Sequence, residues 1–226
     1  SKMITKSAEG GVSRLYKIIP QLGFGMLLGC CVLFPEWGFF SVGVEYFGDA
    51  FFLPFLKEPI FHLSWATLLL GMIWSGGITN AVNYTDGLDG LLTVPAFFCF
   101  LVLGVFSYVH GNAVLSEYLY YPFFGGVGEL TVVCAIYMGC CLGFLWFNAF
   151  PAEVFMGDFG SLMLGGVLMT ISFLIREEVI FLIVGGVIVF EFLSSAVQDY
   201  YFLRIKGKRF FRQAPFHRSL KNENDW

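Results

Sequence analysis

Residues 61–109 read FHLSWATLLLGMIWSGGITNAVNYTDGLDGLLTVPAFFCFLVLGVFSYV, two apolar runs that flank the polar stretch 80-NAVNYTDGLDG-90. A helix of some 20 residues crosses a hydrocarbon core of about 30 Å. The runs 61–79 and 91–109 reach that length, and the stretch between them carries two amides, two carboxylates and two glycines. The pattern predicts two membrane-spanning helices joined by a polar segment at one face of the membrane.

The rest of the chain repeats this apolar character. Hydrophobic residues make up 57% of the 226 residues, charged residues only 13%, and 28 residues are phenylalanine. Such a composition excludes an ordinary soluble domain. Four more apolar runs occur, at about 18–34, 130–147, 160–175 and 179–198. We therefore predict an all-α, polytopic integral membrane protein with about six transmembrane helices, forming one domain over residues 1–226.

The start of the chain, SKMITKSAEGGVSRLYK, is polar and basic. It is too long and too mixed for the positive region of a cleavable signal peptide. Because it lacks an initiator Met, we expect the chain to be part of a longer protein.

Basic residues are distributed unevenly between the two faces that six spans define. Eleven of the thirteen lie on the face shared by the N-terminus, the segments 80–90 and 148–159, and the C-terminal tail, whereas only Lys57 and Arg176 lie opposite. Loops rich in Lys and Arg stay in the cytoplasm. The distribution predicts a multi-pass protein of the bacterial inner membrane, with the polar segments on the cytoplasmic face.

Three polar clusters share this face: the loop 80–90, the loop 148–160 and the tail 199–226. The two loops hold carboxylates without Lys or Arg, while the tail is strongly basic. Mg²⁺ is commonly held by one or two carboxylates together with water and substrate phosphates, and basic side chains bind phosphate through charge-assisted hydrogen bonds. The three clusters predict a site for a divalent metal and a phosphate, with no nucleic-acid ligand.

Each cluster also has a simpler interpretation. Asp89 could be the N-cap of the following helix, and the glycines around Asp158 could form a plain turn. His217 could be an ordinary interfacial histidine, and the basic tail could bind anionic lipid. Asn83 begins a glycosylation sequon, but its cytoplasmic position excludes that modification. The N-cap interpretation leaves the amides of the same stretch unexplained.

Together, NAVNYTDGLDGL (80–91), GFLWFNAFPAEVFMGDFGSLMLGG (143–166) and FFRQAPFH (210–217) resemble the phospho-N-acetylmuramoyl-pentapeptide transferases. These enzymes form a family within the polyprenyl-phosphate N-acetylhexosamine-1-phosphate transferases, with about ten membrane helices. The resemblance covers essentially the whole chain. Thr85 and the run PAEVFMGD favour the muramoyl branch over the branch that uses N-acetylglucosamine.

The resemblance implies a reaction, a cofactor and partners. Undecaprenyl phosphate would attack the β-phosphate of UDP-MurNAc-pentapeptide in the bilayer, giving lipid I and UMP with Mg²⁺ as cofactor, and the enzyme could be a homodimer. The implied catalytic residues are Asp158, Asp86 and His217. The implied metal ligands are Asp158 and Asn83. The implied substrate-binding residues are Asn80, Asp89, Asn148, Phe155 and Lys2.

The chain departs from the family pattern at both ends. Ser1-Lys2 would be the last two positions of the family's Asp-Asp-x-x-Lys motif, so the aspartate pair falls outside the chain. His217-Arg218-Ser219 stands where the family has three histidines. We expect these 226 residues alone to be inactive.

Two other functions remain open from the sequence. One is a sister transferase that moves GlcNAc-1-phosphate. The other is a membrane transporter, in which the polar clusters would line an ion pathway. The position of the clusters at one membrane face, rather than at mid-depth, favours an enzyme that works at the interface.

Overall fold

A computed structural model describes residues 14–34, 49–54, 56, 58–204 and 214–217. Within these residues the chain is mainly helical, with one short antiparallel hairpin that pairs β1 (Ala50–Phe51) with β2 (Phe61–His62). The helices are α1 (Arg14–Leu33), α2 (Ala66–Thr85), α3 (Thr93–Gly111), α4 (Ala113–Tyr118), a 3-10 turn (Val127–Glu129), α5 (Leu130–Asn148), α6 (Gly157–Leu174), α7 (Glu178–Val184) and α8 (Gly186–Arg204). The predicted all-α membrane architecture is confirmed.

Four helices of the described part are long and apolar enough to cross a membrane: α1, α3, α6, and α5 together with its preceding 3-10 turn. A fifth span results if α7 and α8 are taken together, although an 85° bend separates them. The chain is a multi-pass membrane protein. Length and composition therefore give four or five spans where the sequence predicted about six.

Two predicted spans explain the difference. Phe61–His62 is a strand, and α2 runs from Ala66 to Thr85, taking in the first six residues of the polar stretch. This helix ends in the polar residues of that stretch and is not among the four candidate spans. The run 179–198 is not one straight helix, because the chain bends at Gly185 between α7 and α8.

Helix α2 occupies the centre of the bundle, in contact with α1, α6 and α8, while α3 packs against α5. The polar side chains of α2 bond to these neighbours. The indole Nε1 of Trp74 donates to Ser172 Oγ at 3.0 Å, and Ser75 Oγ donates to the Gln21 carbonyl at 2.7 Å. Such interhelical hydrogen bonds hold membrane helices together where apolar surface alone provides little driving force.

Helices α1 and α2 touch backbone to backbone at Gly25 and Gly71. A Cβ added to Gly25 would lie 2.3 Å from the Gly71 carbonyl oxygen, and one added to Gly71 would lie 2.6 Å from the Gly25 carbonyl oxygen. Any larger residue would separate the helices, so glycine is required at both positions.

A group of buried charges lies at the end of the bundle where α3 and α6 finish; we call it the buried charge cluster. It comprises His110, Arg176, Glu177 and Glu178, each at most 5% exposed. His110 Nε2 lies 2.9 Å from Glu177 Oε1, and Arg176 Nη1 lies 3.6 Å from Glu178 Oε1. The Arg176 guanidinium also stacks 4.7 Å from the centre of the Phe173 ring. The ionisable groups of this cluster thus face each other in two pairs, and the Arg176–Glu178 pair is longer than a hydrogen bond.

Candidate functional site

The first turn of α6 places Asp158 at the opposite end of the bundle. Its Oδ2 accepts a hydrogen bond from the Lys17 ammonium at 2.5 Å, and its Oδ1 accepts one from the Asn83 amide at 3.1 Å. The same amide nitrogen donates to Ser161 Oγ at 2.8 Å. Helices α1, α2 and α6 therefore meet at one carboxylate, which we call, with its partners Lys17, Asn83 and Asp86, the carboxylate site. The Asp158 side chain remains 58% exposed.

Gly157 sets the direction of this turn. Its φ is +69°, a left-handed conformation that glycine adopts without the cost a Cβ would add. Its backbone N–H donates a hydrogen bond to the carboxylate of Asp86, the residue that ends α2. The two loops are joined through this bond. Asp158 also gains from its position at the N-terminus of α6, where negative charge is stabilised.

Asp86 is a half-buried carboxyl close to a second one. Loss of hydration on burial raises its pKa, and the nearby charge of Asp158 raises it further, while the hydrogen bond from Gly157 acts in the opposite direction. The two neighbouring carboxyl groups, with a single lysine bonded to Asp158, form a site that can attract further positive charge.

Asn148, at the end of α5, forms hydrogen bonds to both polar loops, the one after α2 and the one after α5. It is buried, and its Oδ1 accepts from the Gly90 backbone N–H and from Thr93 Oγ1, both at 3.1 Å. Its Nδ2 donates to the Val154 carbonyl at 2.9 Å. In this structure Asn148 shapes the loops that border the carboxylate site, and its contact with substrate stays a prediction.

Asp89 makes a second bond between the loops, accepting from the Ala152 backbone N–H at 3.0 Å. The N-cap of α3 is Leu92, which makes no capping bond through its side chain. The N-cap interpretation of Asp89 is therefore wrong. The plain-turn interpretation of the glycines around Asp158 is also wrong, because Gly157 and Gly160 lie within the first turn of α6.

His217 approaches the same end of the bundle from the tail. It is 3% exposed, its Nδ1 lies 3.2 Å from Glu191 Oε2, and its ring lies against Gly87. It is thus a packed histidine beside the loop that follows Asp86, not an ordinary interfacial one.

Three other predicted residues lie apart from these contacts. Phe155 is 70% exposed on the loop between α5 and α6, a position that leaves its ring face open for stacking. The Asn80 amide donates to Gln21 Oε1 and to the Gly76 carbonyl, both at 2.7 Å, and so faces α1. Lys2 and most of the tail 199–226 lie outside the described residues. The substrate-binding roles of these residues stay predictions.

Lys17 and Gln21 were not among the residues predicted for the site. Both belong to α1, where they reach Asp158 and Asn80. A signal was present, because the two residues are four positions apart in an otherwise apolar helix and so share one face.

The donor set bears on whether a metal fits here. The described residues contain no group of three or more His, Cys, Asp or Glu side chains able to hold a metal. They do contain the pair Asp86 and Asp158, with the Lys17 ammonium already in the position of a counter-cation. That pair fits Mg²⁺, which uses few protein carboxylates and completes its shell with water and phosphate. Asn83 presents its amide nitrogen to Asp158, so its role as a metal ligand stays a prediction.

Comparisons with known proteins identify a family of glycosyl transferases. The profile of glycosyl transferase family 4 matches residues 11–176. A phospho-N-acetylmuramoyl-pentapeptide-transferase of Desulfotalea psychrophila is 41% identical over 222 residues, 98% of this chain and 59% of the relative. Proteins of the same name from Desulfovibrio desulfuricans and Rickettsia rickettsii are 50% identical over 165 residues, 73% of this chain and 46% of each relative. The chain spans about half the length of the curated relatives it matches.

Proposed function

The chain belongs to glycosyl transferase family 4, and from this membership we propose that the complete gene product transfers phospho-MurNAc-pentapeptide from UDP-MurNAc-pentapeptide to undecaprenyl phosphate. A phosphate oxygen of the lipid carrier attacks the β-phosphorus, the bond from that phosphorus to the bridging oxygen of UMP breaks, and UMP leaves. The products are lipid I and UMP. The carboxylate site is the observation that carries this proposal.

The arrangement of charge at the carboxylate site supports the proposal. Phosphoryl transfer depends on positioning and on neutralisation of charge rather than on covalent chemistry by the protein. Asp158 and Asp86 would hold Mg²⁺, which would neutralise the pyrophosphate of the donor. Lys17 would then be free to bind a phosphate oxygen, because its present partner is the carboxylate that the metal would occupy.

The loops around the site support binding of the nucleotide. Phe155 presents an exposed aromatic ring on the loop between α5 and α6. Asp89 and Asn148 both bond to the backbone of that same loop, at Ala152 and Val154. We assign stacking on uracil to Phe155 and a hydrogen bond with the uridine to Asp89. His217, packed beside Gly87, would border the pyrophosphate.

The membrane setting supplies the second substrate. Helices of the described part end where the carboxylate site begins, so a lipid phosphate at the membrane surface can reach it. We place this site on the cytoplasmic face of a bacterial inner membrane, following the eleven-to-two distribution of basic residues. A homodimer remains part of the proposal. Labelling of a cysteine placed at residue 86 from the periplasmic side would contradict the orientation.

The proposal is tested by release of UMP. Membranes containing the complete gene product should release UMP from UDP-MurNAc-pentapeptide when undecaprenyl phosphate and Mg²⁺ are present, and a chelator should stop the reaction. UDP-GlcNAc in place of the donor tests the sister activity. Turnover of UDP-GlcNAc alone would reject the muramoyl assignment, and turnover of neither donor would reject the transferase.

A further inference from the structure

Helix α8 carries a buried polar stripe inside an apolar element. Glu191, Ser194, Ser195 and Gln198 are each at most 8% exposed and follow the spacing i, i+3, i+4, i+7, so they share one helix face. An acidic residue within a membrane helix is costly and is usually paired with a polar partner. The structure shows what the stripe contacts.

The returning segment 214–217 packs on this stripe. The backbone N–H of Phe216 donates to Ser194 Oγ at 3.1 Å, and the backbone N–H of His217 donates to Glu191 Oε2 at 3.4 Å. The Phe216 ring packs edge-on against Phe190, with ring centres 5.2 Å apart. Glu191 and its neighbours therefore fix the path of the chain immediately around His217.

Glu191 also orients the imidazole itself. Its Oε2 lies 3.2 Å from His217 Nδ1. The same oxygen accepts from the His217 backbone N–H, so we assign the proton to Nδ1, which donates it. The opposite ring nitrogen, Nε2, then faces Gly87, since a Cβ added there would lie 2.2 Å from it. Gly87 directly follows Asp86, so the ring is held against the loop of the carboxylate site.

We propose that Glu191 is a positioning residue that holds the His217 imidazole in one tautomer and one orientation, with Nε2 directed at the Asp86–Gly87 loop. The proposal rests on the function proposed above only in assigning His217 to the pyrophosphate edge. Partners that orient a site histidine in this way typically change activity 10- to 100-fold when they are removed.

Kinetics of four variants of the complete gene product test the positioning role. Glu191→Ala should lower kcat about 10- to 100-fold with little change in KM. Glu191→Gln should retain most of the activity, because its amide oxygen still accepts the Nδ1 proton. The double variant Glu191→Ala/His217→Ala should be no slower than His217→Ala alone, since the first residue acts through the second.

Two kinetic outcomes would overturn the proposal. One is that the two losses multiply in the double variant, which would show that Glu191 acts independently of His217. The other is that Glu191→Gln is as slow as Glu191→Ala, which would show that acceptance of the Nδ1 proton is not what Glu191 contributes.

A second measurement does not depend on catalysis. Diethylpyrocarbonate modifies accessible histidines, and peptide mass spectrometry distinguishes the three histidines of this chain. In the parent protein His217 should be protected, while the largely exposed His62 reacts and the buried His110 does not. In Glu191→Ala, His217 should become reactive while His110 stays protected, which shows that the bundle is intact. If His217 stays protected in that variant, the proposal is wrong. If this result holds but no donor is turned over, the failure belongs to the proposed function.

Substitution of Gly87, which lies on the other side of the His217 ring, gives a further test, and Gly77 provides its matched control. Gly87→Ala would place its Cβ 2.2 Å from Nε2 and displace the imidazole, whereas an alanine at Gly77 of α2 meets nothing within 4 Å. Gly87→Ala should therefore reproduce the loss of activity and the gain of His217 reactivity, and Gly77→Ala should show neither. Equal behaviour of the two variants would contradict the placement of the ring.

Discussion

The carboxylate site and the buried charge cluster lie at opposite ends of the same bundle. They differ in how far their charged side chains are exposed to water. Asp158 is 58% exposed and bonds to a lysine and an amide, whereas Glu178 and Arg176 are almost fully buried and face each other at 3.6 Å. A charge that water can reach is available to a ligand. A buried charge contributes to the stability of the fold, because removing its partner would leave it buried and uncompensated. Substitutions at the two ends should therefore have different consequences.

The largest effect should come from the buried charge cluster, as lost stability. Arg176→Met leaves Glu178 buried without its cation and should lower the free energy of unfolding by about 3–5 kcal/mol. Arg176→Met/Glu178→Met should recover most of that loss, since a buried pair can often be replaced by apolar residues. Denaturant unfolding in detergent measures both. Activity per folded molecule should equal that of the parent. If Arg176→Met is as stable as the parent, the buried charges do not stabilise the fold and the distinction between the two ends is wrong.

The next effect should come from Asp158, as lost activity with unchanged stability. Asp158→Asn removes a charge that the proposed function places at the reacting phosphates, and it should lower kcat about 10²- to 10³-fold. Its unfolding free energy should stay within about 1 kcal/mol of the parent value, because the side chain is largely exposed. UMP release across a Mg²⁺ titration measures the loss. Glu153→Gln, an exposed carboxylate in the preceding loop, is the matched control and should be fully active.

A smaller effect should appear at Asp86, in the dependence of stability on pH. Because burial raises its pKa in the folded state, the folded protein binds a proton more tightly than the unfolded chain does. Stability should fall as pH rises from the unfolded pKa through the folded one. Asp86→Asn should remove that fall and, at neutral pH, gain under about 1 kcal/mol at this half-buried site. Activity should drop. An unchanged pH profile of unfolding would show that the carboxyl is solvated.

The smallest effect should come from an exposed pair beside the hairpin. His62 Nδ1 lies 3.0 Å from Asp49 Oδ1, and this hydrogen bond is the main reason why the pKa of Asp49 is lowered. A lowered carboxyl pKa stabilises the fold above the unfolded pKa, and that contribution disappears as pH falls through the folded pKa. His62→Ala should cost under about 1 kcal/mol at neutral pH and less in acid. Thermal unfolding at two pH values measures it, and a cost equal to that of Arg176→Met would remove the distinction between exposed and buried pairs.

The sequence predicted the bundle well because apolar runs report helices directly. It placed α3, α5 and α6 within a few residues of their bounds, for example Leu130–Asn148 against the predicted 130–147. It could not place the bend at Gly185, because the run 179–198 is apolar on both sides of the break. The extension of α2 to Thr85 was also missed, although Asn80, Asn83 and Asp86 are three residues apart, a spacing that places side chains on one face of a helix.

At the site, the sequence predicted the residues of the two polar loops, but it did not predict the contributions of α1 and α8. Asn83, Asp86 and Asp158 were expected on one face and are found in contact or close by. Lys17 is 141 residues from Asp158 in the chain, and its charge looked like one more basic residue of the N-terminal segment. The pairing of Glu191 with His217 likewise depends on how residues 214–217 return to α8.

The close contact between Gly25 and Gly71 is a point about which α1 could tilt relative to α2. Lys17 lies eight residues from Gly25 along α1, a distance of about 12 Å at 1.5 Å per residue. A tilt of α1 by about 5° around this contact would move the Lys17 ammonium roughly 1 Å away from Asp158. A displacement of that size can change a rate about 100-fold. In the proposed reaction, the position of Lys17 at Asp158 would therefore depend on two glycines within the helices, because a methyl group at either would push α1 and α2 apart.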